Sequence, residues 1–307
     1  MDFRSGKGTH MTRPTESMAM SLLRGLGSES MAWALRRFHT PVSSDALVLE
    51  VGSGGNPYPR ANVLLDAYET SRERHWAPLA SDRPTVLGFV ENLPFRDHAF
   101  DFVIAAHVLE HSPQPEVFIA ELQRVAKAGY IEVPDAFLER VNPYRDHRLE
   151  ITCRNHTLVI RKKASWRAEP EVVELYEDRV KPVLTRDLVP RHPFEFHVRY
   201  YWENRIAYRI VNPDADAGWP SPQVDSSSSV PTISARIRRF TRDALRGLLS
   251  QRRRNAAIDL LPLLQCTACH SVDLQRHTNE LQCGQCKRRF PIRSGVTAMN
   301  EGQAVHA

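Results

Sequence analysis

The first half of the chain alternates short apolar runs with turn-forming stretches. Ala46 to Val51 sets Val and Leu between polar flanks and predicts a buried strand, which ends in the loop Gly52-Ser53-Gly54-Gly55. Asn62 to Asp66 predicts a second strand, Thr85 to Phe89 a third and Phe100 to Ala106 a fourth; Tyr130 to Val133 predicts a fifth that Pro134 stops. Apolar residues at 117, 118, 122 and 125 recur with a helical period, so Pro115 to Ala126 is expected to be a helix. Ser28 to Phe38 carries a similar signal, with Ser28 as cap and Met31, Leu35 and Phe38 on one face. Strands alternating with crossovers predict an α/β protein: a Rossmann-like, mostly parallel sheet with helices on both faces. Residues 140–212 are less regular. Leu158 to Ile160 reads as a strand, Pro170 to Asp178 as a helix, and Phe194 to Ile210 as an aromatic-rich strand or helix. This region is expected to supply the last strands and a substrate cover, with Tyr200, Tyr201, Trp202 and Tyr208 on the acceptor side.

These patterns divide the chain into a tail and lead helix at 1–44, a main domain at 45–212, and a Pro-, Ser- and Asp-rich linker at 213–235. A basic amphipathic helix at 236–259 and a small unit at 260–300 follow. From Arg236 to Arg254, eight arginines oppose the single Asp243, and Ile237, Phe240, Ala244, Leu245, Leu248 and Leu249 share a face. The 307 residues are 42% hydrophobic and 25% charged, enough for one sizeable core plus an appendage. No run approaches the ~20 apolar residues of a membrane span. The opening residues are polar with no apolar signal core, so a cytoplasmic protein is expected.

A strand followed by a Gly-rich loop suits two cofactor classes. The dinucleotide fingerprint places a third glycine where this chain has Pro57, and an acid about 20 residues on. Here Asp66 comes only fourteen residues after Gly52. A nicotinamide-dependent oxidoreductase is therefore a distant alternative.

Val48-Leu49-Glu50-Val51-Gly52-Ser53-Gly54-Gly55 resembles the first motif of class I S-adenosylmethionine-dependent methyltransferases. Glu91-Asn92-Leu93-Pro94-Phe95, then Phe100-Asp101-Phe102-Val103-Ile104, resembles their third and fourth motifs, and Val108-Leu109-Glu110-His111 the segment after the fourth strand. Arg124-Val125 and Tyr130-Ile131-Glu132-Val133-Pro134 resemble the fifth-strand region, in the order of the type 11 group. The resemblance implies roles for these positions. Glu50 would face the cofactor's amino group, Gly52 and Gly54 would pass its amino-acid tail, and Asp66 would accept the ribose hydroxyls. Glu91, Asn92, Leu93 and Ala106 would complete the cofactor site. Phe89 stands where the family usually has an acid.

His107 and His111 follow the fourth strand at the mouth of the expected site and are the candidate catalytic groups for deprotonating an O, N or C acceptor. His107-x-x-Glu110-His111 admits three readings. The zinc-peptidase pattern lacks its long helix, a divalent cation is a milder alternative, and a loop held by hydrogen bonds is favoured. Asp146-His147-Arg148-Leu149-Glu150 reads as a pocket edge or, slightly preferred, as a solvated charged loop.

Cys266-x2-Cys269-x13-Cys283-x2-Cys286 has the spacing of a structural zinc site, two thiolates from each knuckle. Phe290-Pro291-Ile292 and Gly295-Val296 resemble the tail of zinc ribbons found as activator subunits of tRNA and protein methyltransferases. The expected activity is methyl transfer from S-adenosylmethionine to an unidentified acceptor, with Zn2+ in a structural role. A protein partner could dock on the ribbon or basic helix, and nucleic acid remains open as a partner. The alternative is a catalytically degenerate fold serving as scaffold or binding protein.

Overall fold

The computed structural model describes residues 15–71, 78–166, 169–177, 180–220, 247 and 249–300. Most of the expected linker and the first half of the basic helix expected at 236–259 lie outside these residues; in the described half Ser250 and Gln251 are not helical and a short helix spans Arg252–Ala256, so the expected helix is interrupted.

The five predicted strands form. They are β1 Val48–Val51, β2 Val63–Asp66, β3 Thr85–Leu87, β4 Phe102–Ala106 and β5 Ala128–Pro134. All five run parallel in the order β3-β2-β1-β4-β5. The order reverses between β1 and β4, and open α/β sheets bind ligands beyond the strand ends at such a switch point.

The 140–212 region contributes differently from expectation. β6 Leu149–Arg154, β7 Thr157–Lys162 and β9 Tyr208–Ile210 form a separate three-stranded sheet. Only β8 His197–Glu203 joins the main sheet, antiparallel to β5. Its Tyr200, Tyr201 and Trp202 are buried in the core, so the aromatics expected at the acceptor side fill the sheet edge instead.

Alternating residues of β1 serve opposite faces. Leu49 and Val51 pack with Phe118, Ile119, Leu122 and Val125 of the helix Pro115–Val125. At ~1.5–3 kcal/mol per large side chain, these four anchor the helix. Pro115 suits the first turn, where its missing N–H costs nothing, and Val117 faces solvent while Ile119 takes its expected buried place.

The opposite face is polar at its centre. Val48 packs there with Tyr58, Tyr130 and Tyr201. Arg36 makes two bonds to the fully buried Glu132, at 2.7 and 2.8 Å. This pair corrects the expected orientation of the lead helix. It spans Glu29–Leu35 with a 3-10 turn to Phe38, and it buries Ala32 and Arg36 while Met31 and Phe38 are exposed. Ser28 makes no side-chain cap bond. A preceding helix, Met18–Gly25, capped by Ser17, had no counterpart in the sequence reading.

The C-terminal unit, expected to stand apart, extends the sheet. β10 Leu274–Arg276, β11 Glu280–Cys283, β12 Arg289–Arg293 and β13 Val296–Ala298 form an antiparallel meander, and β13 pairs parallel with β3. A ten-stranded sheet results. Among the described residues, no helix is long and apolar enough to cross a membrane.

Candidate cofactor cavity and zinc centre

A cavity of ≈ 510 Å³ opens at the switch point, within the range of small-molecule sites. Gly52 and Gly54, both at positive φ, form its floor after β1. A Cβ on Gly52 would lie 2.2 Å from Val108 Cγ2, so only glycine lets the loop pass this close to the 107–111 segment. Asp66, at the end of β2, is buried; its Oδ2 accepts from Gly54 N at 2.9 Å and its Oδ1 from Tyr68 N at 3.2 Å.

The predicted residues divide into two groups. Gly52, Gly54, Asp66, Glu91, Asn92, His107 and His111 line the cavity together. Glu50, Leu93 and Ala106 are not among its lining residues. Glu50 is buried and accepts from Tyr58 N at 2.7 Å. Burial is the main influence on its carboxyl and lifts its pKa to about 7, against the pull of Arg37. Leu93 is fully buried, and its N–H donates to Glu121 at 2.7 Å.

Tyr68 and Tyr144, which the sequence did not single out, complete the lining with Phe89 and the 147–148 pair. Tyr68 and Phe89 meet edge to face, 5.8 Å between ring centres. Tyr144, His147 and Arg148 close the far side. Asp146, Arg148 and Glu150 are buried, so the slightly preferred solvated-loop reading of this segment does not hold. Two backbone links carry the segment inward: Arg148 N donates to Glu110 O at 2.7 Å, and His111 Nδ1 lies 3.1 Å from Asp146 O.

His107 turns at φ +58, with Nε2 3.2 Å from Glu132 and Nδ1 3.5 Å from Glu110. Burial alone would lower its pKa, but these two carboxylates override that and raise it to about 10. Glu132 is answered on several sides, by Arg36, Tyr130 and His107. Glu110 is as deeply buried, yet neither of its carboxylate oxygens makes a hydrogen bond.

The four cysteines converge. Cys266 Sγ lies 3.6 Å from Cys286 Sγ, and Cys269 Sγ 3.5 Å from Cys283 Sγ. Four thiolates at ~2.3 Å from tetrahedral zinc lie ~3.8 Å apart, so the quartet fits Zn2+ with slight opening. The knuckles repeat one backbone pattern. Ala268 N and Cys286 N approach the sulfurs of Cys266 and Cys283, and the residues after each pair, His270 and Lys287, take positive φ. His270 is thus a turn residue.

This centre braces the cavity. Asn92 Nδ2 donates to Thr267 O at 2.9 Å, Gln265 N to Pro94 O at 3.0 Å, and Met299 N to Leu87 O at 2.8 Å. The segment 90–92 therefore lies between cofactor cavity and ribbon.

Comparison with known proteins gives two family matches. Residues 49–131 match the methyltransferase domain model, and residues 258–295 match the Trm112p-like protein model. No curated protein matches the chain. Solved structures resemble it distantly. An Anabaena variabilis protein described as a methyltransferase from an antibiotic biosynthesis pathway is 21% identical, over 32% of this chain and 42% of its own, with a TM-score of 0.27. A complex of the Haloferax volcanii Trm112 methyltransferase activator gives 14% identity, 61% and 94% coverage, and a TM-score of 0.34. An S-adenosylmethionine-dependent methyltransferase from Mesorhizobium loti gives 12%, 44% and 64%, and 0.29. The chain thus spans less than half the length of the first of these. Sheet order and site geometry, rather than these likenesses, carry the functional reading.

Proposed function

We propose that this chain, which carries a methyltransferase domain followed by a Trm112p-like zinc ribbon, is an S-adenosylmethionine-dependent methyltransferase. The observation that carries the reading is the cavity at the β1/β4 switch point, where a glycine floor and a β2-end aspartate meet. The residues suit the cofactor. Gly52 and Gly54 leave room for its amino-acid tail, and Asp66 presents carboxylate oxygens to the ribose, an acceptor-only group opposite two hydroxyls. Phe89 and Tyr68 offer ring faces and edges to the adenine where the family's usual acid is missing. Glu91, held by Ser112 Oγ at 2.6 Å, and Asn92, held by Thr267, flank the same end. Glu50, outside the lining, holds the loop from beneath by accepting from Tyr58 N.

The cofactor supplies a methyl group already activated by its sulfonium. The protein's task is then to orient an acceptor in line and exclude water, and orientation can supply ~7–11 kcal/mol of the barrier. His111, which lines the same cavity, would meet that acceptor, while His107, held between Glu132 and Glu110, would stay protonated and so does not serve as the base expected of it. The ribbon's role in this reading is to hold β3 and the 90–92 segment in place, in the same chain, as an attached stabiliser of the cofactor end.

Calorimetric titration tests the proposal. S-adenosylmethionine should bind with a saturable heat, and Asp66→Ala should weaken it about 10–100-fold, the value of one or two lost hydrogen bonds to a charged group. No heat and no thermal shift at millimolar cofactor would overturn it.

A further inference from the structure

We infer that Glu110, His111 and His147 form a binding site for a first-row divalent transition-metal ion at the acceptor side of the cavity. One donor atom from each of the three lies within 4.8 Å of the others, the spacing of a shared ion. The three come from two separate segments, the turn after β4 and the loop before β6, joined by the backbone links at Glu110 and Asp146.

Three features distinguish this cluster from chance proximity. The Glu110 side chain is only 2% exposed, and both its oxygens lack a hydrogen bond. The His107 imidazole lies 3.5 Å away, but no hydrogen bond reaches either oxygen, and buried polar atoms left so are uncommon in native proteins. The two imidazoles are also arranged as ligands. His111 Nδ1 faces the Asp146 carbonyl, which only accepts, so that nitrogen carries the proton. His147 Nδ1 faces the Glu139 carboxylate at 2.7 Å, and Lys163 Nζ holds that carboxylate's other oxygen at 2.6 Å. In the neutral rings the lone pairs therefore belong to Nε2. Metal-bound histidines characteristically donate their second nitrogen to a carbonyl or carboxylate, which fixes tautomer and ring angle. Finally, the rings stand at 87° with centres 4.8 Å apart, so they converge edge to face rather than stack.

The donor set decides the ion. Two imidazoles and one carboxylate suit zinc, iron, cobalt or manganese better than magnesium or calcium, which prefer oxygen. The Arg148 guanidinium, which also lines the cavity, donates through Nη1 to the Ala217 and Trp219 carbonyls. Three protein ligands leave positions open toward the cavity, as in catalytic rather than structural centres. In the part that rests on the methyltransferase reading, the ion would hold a hydroxyl of the acceptor and favour its ionisation.

The test uses the full chain with its ribbon zinc in place, titrated with cobalt(II) alone and without cofactor, so its failure is separate from failure of cofactor binding. One further equivalent should bind, giving weak visible absorption without the intense thiolate charge transfer of a cysteine site. Glu110→Gln and His147→Ala should abolish it, while Glu139→Gln, which removes no donor, should weaken it about 10–100-fold. Proton NMR of the wild-type cobalt form should show two strongly shifted, exchangeable imidazole N–H signals, a readout independent of how the variants fold. Absence of saturable binding at millimolar cobalt, undiminished binding in both ligand variants, or absence of those signals would each overturn the assignment.

Discussion

The ribbon and the cavity sit on one sheet but treat their polar groups in opposite ways. In the ribbon, four sulfurs face one another within 4.8 Å, and the turn around them is closed: a Cβ on Gly284 would fall 1.8 Å from Asp273 Oδ2. The same closure holds at Glu132, where an arginine, a tyrosine and a histidine meet one carboxylate. Across His107, Glu110 is buried without a hydrogen bond, and the glycine floor leaves the cavity open. A buried polar group answered from within the protein is architecture, and one left unanswered beside a cavity points to something that enters.

Stripping the zinc gives the largest effect and shows whether the two regions are independent. Small zinc modules owe ~10–16 kcal/mol of apparent folding free energy to the metal, and the ribbon has little core without it. Chelation or Cys283→Ala should unfold β10–β13 and expose the β3 edge. Because Asn92 is tied to Thr267, cofactor affinity should fall with it. Thermal denaturation and titration on the same sample would show this, and unchanged affinity would mean that the ribbon does not brace the cavity.

Glu132→Gln is next. It leaves Arg36 buried with half its partner, and breaking one side of such a pair costs about 3–5 kcal/mol. Glu110→Gln should cost less, because it gives up the 3.5 Å ion pair with His107 but no hydrogen bond. Urea denaturation of the two variants compares them directly. Equal losses would erase the distinction between a satisfied and an unsatisfied carboxylate.

The sequence carried the part of this arrangement that is local. The positions of the five strands, the glycine loop, Asp66 and the cysteine knuckles all lie in short windows where residue type and backbone demand coincide. What it did not carry depends on contacts between distant segments. Arg36 is buried by Glu132, ninety-six positions away, which turned the lead helix off its apolar face. His147 reaches the cavity only because Arg148 N binds Glu110 O. The tyrosines and tryptophan of β8 were assigned to a substrate surface because aromatic content alone does not distinguish a pocket wall from a sheet edge.

Glu50 lies on the boundary between the two regions: it is buried like Glu132, but where Glu132 meets an arginine, a tyrosine and a histidine, its carboxylate accepts from the Tyr58 N–H. Its folded pKa, about 7, stands above the ordinary 4.5. A carboxyl with a raised folded pKa contributes stability below its unfolded value and loses it as pH rises through the folded one. Stability should therefore decline between about pH 4.5 and 7 by up to roughly 3 kcal/mol, and Glu50→Gln should flatten that decline. Denaturation midpoints across this range check it. Identical profiles for the two proteins would place Glu50 with the satisfied architecture.

The most local effect concerns Gly52, where the open region meets the backbone itself. Alanine there must hold φ +63, a left-handed conformation that costs about 1–2 kcal/mol, and its Cβ must also displace Val108. The double variant Gly52→Ala, Val108→Ala separates the two costs. Removing the valine methyls relieves the collision but not the backbone strain, so part of the stability should return. Cofactor affinity should not return with it, because the new methyl group still projects from the loop that the cofactor's tail must pass. Full recovery of binding in the double variant would show that the glycine serves packing against Val108 alone, and that the cavity floor, like the ribbon, is architecture.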